Sequence, residues 1–150
     1  MTWPIRNKKT LILLALITMI TVTSPSFAET AQDDYDAIKA TIENYFEGLK
    51  YGDRARLEEA FAVAHAHMKG YTKNKDGELV VSSRPMNEVI DDWVSREPSP
   101  QFTGKILSIN IFSEVAALAT FDFNGIYTDA FQLAKIDGEW RIVNKFYVNQ

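Results

Sequence analysis

Two histidines are the side chains of this chain best suited to proton transfer near neutral pH. His65 and His67 are the only histidines, and they stand two residues apart on a predicted strand, so they face the same side. An imidazole titrates close to neutrality, so His67 could act as a general acid or base or contact a ligand. The alternative is that both histidines lie at the surface or at the rim of a cavity.

Asp129 is the candidate on the predicted strand before the last one. It shares a strand face with Tyr127, Phe131 and Leu133, which suggests that this face points inward. The opposite face is less bulky but also partly apolar, so the reverse orientation remains open.

Asn144 is the candidate on the final predicted strand. Alternation puts four residues on one face of that strand: Trp140, Ile142, Asn144 and Phe146. This face should point inward, because two large aromatic side chains need burial. A buried amide must be hydrogen-bonded, either to a ligand or to Asp129 or Tyr45. Lys145 lies on the opposite face, where a surface ion pair with Asp129 would contribute little.

Two aromatic side chains on predicted helices could line a cavity. Tyr45 lies in the apolar stripe of the first helix, where its hydroxyl could contact a ligand or bond a single partner within a core. Trp93 lies on the apolar face of the third predicted helix and could likewise belong to a core or line a pocket.

Turn signals indicate how these strands are connected. Asn124-Gly125 and Asp137-Gly138 supply the positive φ angles of two-residue hairpin turns. They predict a C-terminal meander of four antiparallel strands: Phe102–Phe112, Val115–Asn124, Ile126–Ile136 and Glu139–Val148. Ahead of it, residue spacing predicts two helices, a hairpin formed by His65–Tyr71 and Glu78–Ser82, and a third helix. This order predicts an α+β fold with helices on one face of a curved sheet.

The first 28 residues have the pattern of a signal peptide. Arg6, Lys8 and Lys9 form a basic start, Leu11–Val22 is apolar, and Ser26-Phe27-Ala28 ends in a small residue at a cleavage point. An uncleaved membrane anchor is the alternative, but about 12 apolar positions are fewer than the ~20 needed to span a bilayer. We therefore expect cleavage after Ala28, a periplasmic or secreted product, and one domain over residues 29–150.

Composition narrows the partners of that domain. Removing residues 1–28 leaves 13 Lys and Arg against 20 Asp and Glu, a net charge of −7. This sign disfavours nucleic acid and anionic membranes, which attract clustered cations. The chain contains no cysteine, which excludes disulfides and thiolate sites. The histidine pair lacks an obvious third ligand, so we expect no metal, and we expect no cofactor.

Several segments together resemble a known family. The stretch from Tyr45 to Asp53, followed by Leu57 and Ala60-Phe61, is similar to the opening of the nuclear transport factor 2-like (SnoaL-like) superfamily. Gly104-Lys105-Ile106, Tyr127-Thr128-Asp129 and the stretch from Asp137 to Lys145 resemble its putative lumazine-binding branch. The resemblance implies a cone in which a bent sheet wraps the helices around an apolar cavity. It also implies dimerisation through the outer face of the sheet.

The same resemblance invites a comparison with ketosteroid isomerases, which share the fold. In those enzymes a tyrosine of the first helix donates to the oxyanion, and Tyr45 stands at that position. A protonated aspartate on a later strand assists it, and Asp129 lies close to that place. The general base is an aspartate, but its position here is occupied by about Lys69 or Gly70. Proton abstraction next to a carbonyl then has no acceptor.

Two functions follow from these observations. The first is a non-catalytic dimeric binding module whose cavity, lined by Tyr45, Trp93, Tyr127 and Asn144, holds a small apolar or aromatic molecule. The second is an isomerase or dehydratase that uses His67 or Asp129 as acid or base. A third possibility is a structural dimerisation domain whose cavity is filled by its own aromatic side chains.

Overall fold

The computed structural model describes residues 27–150, which fold as three helices and six strands. The helices are α1 (Phe27–Tyr51), α2 (Arg54–Ala60) and α3 (Met86–Val94). The strands are β1 (His67–Lys73), β2 (Leu79–Pro85), β3 (Gly104–Ser113), β4 (Ala116–Phe123), β5 (Tyr127–Ile136) and β6 (Glu139–Asn149). Apart from residues 27 and 28, the predicted signal peptide lies outside the described residues. No helix between residues 27 and 150 is both long and apolar enough to cross a bilayer.

All six strands form one curved sheet in the order β2-β1-β6-β5-β4-β3. β3 to β6 follow one another as antiparallel neighbours. β1 pairs with β2 in an antiparallel hairpin and runs parallel to β6. The predicted α+β class is therefore confirmed.

The tight turns of the meander have the backbone geometry that their sequences predict. Between β4 and β5, Asn124 and Gly125 have φ angles of 60° and 64°. Between β5 and β6, Asp137 and Gly138 have φ angles of 52° and 86°. Positive φ at both central residues matches the right-handed twist of the flanking strands. These turns set the register that brings Asp129 on β5 next to the end of β6.

Helix α1 packs its apolar stripe against the concave face of the sheet. Ile38 and Ile42 are fully buried, and Tyr45 is 1% exposed. The short helix α2 lies beside α1, where Leu57 packs so closely on Gly48 that an added Cβ would come within 2.8 Å of it. The side chains of α1 therefore form the middle of the core, with Tyr45 near one end.

Asp34 fastens the other end of the apolar stripe to the sheet. Its Oδ1 accepts hydrogen bonds from Lys135 Nζ on β5 at 2.6 Å and from Trp140 Nε1 on β6 at 2.9 Å. Thr41 Oγ1 donates to the Trp140 carbonyl at 3.0 Å. The hydrogen bond from Lys135, supported by that from Trp140, lowers the pKa of Asp34 despite burial. This carboxylate is therefore ionised at neutral pH.

A β-bulge in β6 overturns part of the expected facing of that strand. Ile142 pairs with Leu133 and Asn144 pairs with Gln132, which leaves Val143 without a partner. Trp140 and Ile142 point inward as predicted, being 2% and 0% exposed. Beyond the bulge the alternation shifts by one residue. The predicted inward direction of Asn144 and Phe146 is wrong: the inward places belong to Lys145 and Tyr147.

Candidate ligand-binding site

A cavity of about 380 Å³ lies at the end of the sheet where β5 begins and β6 ends. Six elements and connections contribute to it: α1, β1, the end of α3 with the segment after it, β4, β5 and β6. Its lining residues are Tyr45, Leu49, Met68, Trp93, Arg96, Phe102, Phe123, Tyr127, Asp129, Lys145 and Tyr147. Arg96 and Tyr127 are exposed, so the cavity reaches solvent on their side.

Asp129 is the central polar residue of this cavity. Its Oδ2 accepts a hydrogen bond from the Tyr45 hydroxyl at 2.8 Å, and its Oδ1 accepts one from Lys145 Nζ. Asp129 is 1% exposed and Lys145 is 4% exposed. Three residues far apart in the chain thus form one buried network between α1, β5 and β6.

Burial sets the protonation of the tyrosine in this network. Loss of solvation is the main cause that raises the pKa of Tyr45 well above its usual value, and the negative charge of Asp129 is the second. Its hydroxyl therefore stays protonated and donates to the carboxylate. The pKa of Lys145 is lowered by burial, which outweighs the opposing charge of Asp129. Lys145 is thus held as an ion-pair partner in surroundings that disfavour its charge.

Aromatic rings form the walls around the network. The ring of Tyr45 lies 5.8 Å from that of Trp93, and Phe102 lies 5.1 Å from Phe123. On the opposite side, Tyr127 and Tyr147 make an edge-to-face contact at 5.9 Å. Such walls suit a flat ring system, since aromatic pairs are favourable in stacked and in edge-to-face arrangements.

Gly70 on β1 makes room for one of these rings. The residue is buried, and a Cβ added to it would overlap the ring of Tyr147. The glycine at position 70 therefore allows the ring of Tyr147 to lie close against β1. Lys69, beside it, is exposed and faces the other side of the sheet.

The structure brings four of the six predicted ligand residues together at the cavity: Tyr45, Trp93, Tyr127 and Asp129. His67, the first residue of β1, is exposed and does not line the cavity, because its side chain faces the outer side of the sheet. Its Nδ1 lies 3.3 Å from the carbonyl oxygen of His65, which is also exposed. Asn144 is likewise absent from the lining, because the bulge turns it toward the face of Gln132.

Sequence reasoning missed the cation of the network. Lys145 was expected in a surface ion pair, whereas it is buried against Asp129. The complementary charges on adjacent strands were visible in the sequence, but the bulge that turns Lys145 inward was not. Arg96 was also missed, since a single arginine after a helix carries no pattern.

The arrangement differs from an isomerase site in two respects. The inward-facing residues at the end of β1 nearest the cavity are Met68 and Gly70, so no carboxylate occupies the place of the general base. The hydroxyl proton of Tyr45, which an oxyanion hole would present to a substrate, is donated to Asp129. Among residues 27–150 no three His, Asp or Glu side chains are grouped closely enough to hold a metal ion.

A comparison with known protein families identifies the family of this chain. A family model described as "Putative lumazine-binding" matches residues 33–148. The chain belongs to this family. Within the described residues, the fold is that of the nuclear transport factor 2-like superfamily. The match includes every residue that lines the cavity.

Solved structures of similar proteins have the same superfamily fold. An NTF2-like protein of unknown function from Shewanella baltica is 27% identical, with a TM-score of 0.67 over 85% of this chain and 98% of that one. A second, from Methylobacillus flagellatus, is 27% identical, with a TM-score of 0.66 over 79% and 93%. A third, from Silicibacter pomeroyi, is 25% identical, with a TM-score of 0.65 over 80% and 98%. The curated proteins gave no significant match.

Proposed function

We propose that this family member is an exported, non-catalytic protein that binds a small apolar or aromatic molecule in the cavity beside Asp129. The observation that carries the proposal is the cavity itself. Its volume of about 380 Å³ lies within the ~300–1,000 Å³ range of small-molecule sites. An interior filled by its own aromatic side chains would leave no such space.

The lining supports an aromatic ligand. Six of the eleven lining residues carry aromatic rings, and the charged side chains are Asp129, Lys145 and, on the solvent side, Arg96. A few convergent polar groups in an apolar site fix the orientation of a ligand. The family description names lumazine, a flat heterocycle, which fits a slot of this kind.

The hydrogen bonds of Asp129 favour binding over catalysis. Both of its carboxylate oxygens already accept hydrogen bonds, one from Tyr45 and one from Lys145. An isomerase or dehydratase that uses His67 as its acid or base has little support, because His67 lies outside the cavity. Asp129 remains the one candidate for that chemistry. Deuterium exchange next to the carbonyl of a bound ligand, lost in Asp129→Asn, would favour it over simple binding.

The outer face of the sheet supports the proposal of a homodimer. Several apolar side chains are exposed there: Tyr71, Val81, Leu118 and Val148. Such a surface is suited to a second copy of the chain. Light scattering on the purified protein tests the dimer, and mass spectrometry of the culture fluid or periplasm tests export by detecting a chain that begins at Glu29.

Titration calorimetry tests the binding proposal. Lumazine and a panel of flat aromatic metabolites should include a ligand that binds once per chain with micromolar or tighter affinity. Trp93→Leu should weaken that binding, because Trp93 lines the cavity. Phe112→Leu is the matched control, since Phe112 is 65% exposed and lies away from the cavity. Absence of any bound compound, with no thermal stabilisation, would contradict the proposal.

A further inference from the structure

Arg96 brings an uncompensated positive charge to the cavity. Its side chain lines the cavity just beyond the end of α3 and is exposed. Among residues 30–150, no carboxylate lies within ion-pair distance of its guanidinium group. An arginine at the mouth of a cavity is therefore free to meet an incoming group.

None of the three acids of helix α3 is paired with Arg96: Glu88 makes no ion pair with the described residues, and the other two are paired elsewhere. Asp91 is paired with Arg54 at 2.6 Å, and Asp92 is paired with Arg84 at 2.7 Å. Each of these carboxylates is thus directed to an arginine on another element. Arg96 follows the helix and is left with no acidic partner among the described residues.

The other charges of the cavity cancel. Asp129 and Lys145 are in direct contact, so they form a neutral pair when viewed from the rest of the cavity. The remaining donors of Lys145 face rings, since its Nζ lies 5.6 Å from the centroid of Tyr45 and 5.1 Å from that of Tyr147. The lining therefore carries a net charge of one positive unit, in a domain whose net charge is −7.

We infer that the ligand is a flat aromatic anion, with its ring between the aromatic walls and its negative group at Arg96. This inference rests on the proposed binding function and adds the charge of the ligand. A guanidinium group offers paired N–H donors that match a carboxylate in bidentate geometry. The anionic group lies at the solvent side of the cavity, where it keeps part of its hydration, while the ring is buried.

Three probes with the same ring and different charge test the inference on the purified protein: naphthoate, naphthamide and naphthylmethylammonium. We expect naphthoate to bind on the order of tenfold more tightly than naphthamide, since hydrogen bonds to charged groups are stronger than neutral ones. The ammonium compound should bind most weakly. Added sodium chloride should weaken naphthoate binding and leave naphthamide binding unchanged.

Variants locate the effect. Arg96→Gln should remove the preference for naphthoate over naphthamide, and Arg96 is exposed, so the variant should fold. Arg56→Gln removes the same charge from an exposed site outside the cavity and should keep the preference. Equal binding of naphthoate and naphthamide, or a preference that survives in Arg96→Gln, would overturn the anionic ligand while the binding function stands. Failure of all three probes and of the wider panel would overturn both.

Discussion

Two Asp–Lys ion pairs lie where α1 meets β5 and β6, and they differ in what surrounds them. Asp34 with Lys135 lies toward the start of α1, and Asp129 with Lys145 lies at the cavity. The side chain of Lys135 keeps 27% of its surface exposed, whereas that of Lys145 keeps 6%. The first pair therefore retains contact with water, and the second is enclosed by protein.

Because of this difference, the balance between burial and ion pairing is not the same for the two aspartate–lysine pairs. At Asp34 the hydrogen bond from Lys135 outweighs burial and lowers the pKa of the acid. At Lys145 burial outweighs Asp129 and lowers the pKa of the amine. Replacing an enclosed ion pair with packed hydrocarbon of the same volume is often neutral or stabilising. The comparison indicates that the Asp34 pair stabilises the attachment of α1 to the sheet. The Asp129 pair instead places polar groups in the wall of the cavity.

Lys145→Met should produce the largest loss of stability. It leaves the carboxylate of Asp129 buried without a cation, which costs about 3–5 kcal/mol. Urea denaturation measures the free energy of unfolding. Lys135→Met is the matched control and should cost less, because Trp140 still donates to Asp34. Equal losses of unfolding free energy in the two variants would mean that the different surroundings of the two pairs do not affect stability.

The double variant Asp129→Asn/Lys145→Met sharpens this result. It removes both charges, while the amide oxygen introduced at position 129 can still accept the hydrogen bond of Tyr45. We expect it to be more stable than Lys145→Met alone, because the uncompensated charge is gone. A double variant that is the less stable of the two would mean that the pair itself stabilises the fold.

Tyr45→Phe should have the next largest effect. It removes the donor to Asp129 Oδ2 and should cost about 1–3 kcal/mol, because a buried acceptor loses its partner. Tyr127→Phe is the control, since Tyr127 is 37% exposed and makes no side-chain hydrogen bond with the described residues. Similar urea midpoints for both variants would argue against a stabilising role of the Tyr45 hydroxyl.

Asp34→Asn should cost about 1 kcal/mol at neutral pH, because a charge-assisted hydrogen bond becomes a neutral one. The pKa of Asp34 is lower in the folded protein than its unfolded value of about 3.9. Its contribution is therefore fully present above about pH 4 and is lost as pH falls through the folded-state pKa. In acid titrations followed by urea denaturation, wild type and variant should begin to converge in stability as pH falls below about 4, and should become equal once pH lies below the folded-state pKa. A difference that persists there would contradict the ionised form as the source.

Asp91→Asn should have the smallest effect. Its pair with Arg54 is solvent-exposed on both sides, and such pairs contribute little. The urea midpoint should be indistinguishable from that of wild type, with Glu88→Gln as the control for loss of one exposed acid on α3. A clearly lower urea midpoint for Asp91→Asn would mean that solvent exposure does not indicate how much an ion pair contributes to stability. The comparison of the Asp34 and Asp129 pairs would then lose its basis.

The fold could be predicted because its signals are local. The apolar stripe of α1 appears in Ile38, Ile42 and Tyr45, and the turns appear as Asn124-Gly125 and Asp137-Gly138. Helix period and turn chemistry each depend on residues close together in the chain. Four of the predicted ligand residues follow from the same patterns.

The rest of the candidate site depends on an event without a local signal. The bulge at Val143 shifts the alternation of β6 and exchanges Asn144 for Lys145 at the cavity. A strand that reads as regular in sequence carries no mark of the extra residue. His67 was misjudged for a related reason, since the side that a strand residue faces depends on its partner in β6. Both errors concern register between distant strands.

The bulge at Val143 fixes the alternation of the final strand, so that Lys145 and Tyr147 face inward. A strand without the bulge would turn Asn144 and Phe146 inward instead. The ion pair with Asp129 and the room that Gly70 leaves for the ring of Tyr147 both favour the observed arrangement. We expect a chain with a larger, neutral residue at positions 70 and 129 to lose the bulge and, with it, the charged wall of the cavity.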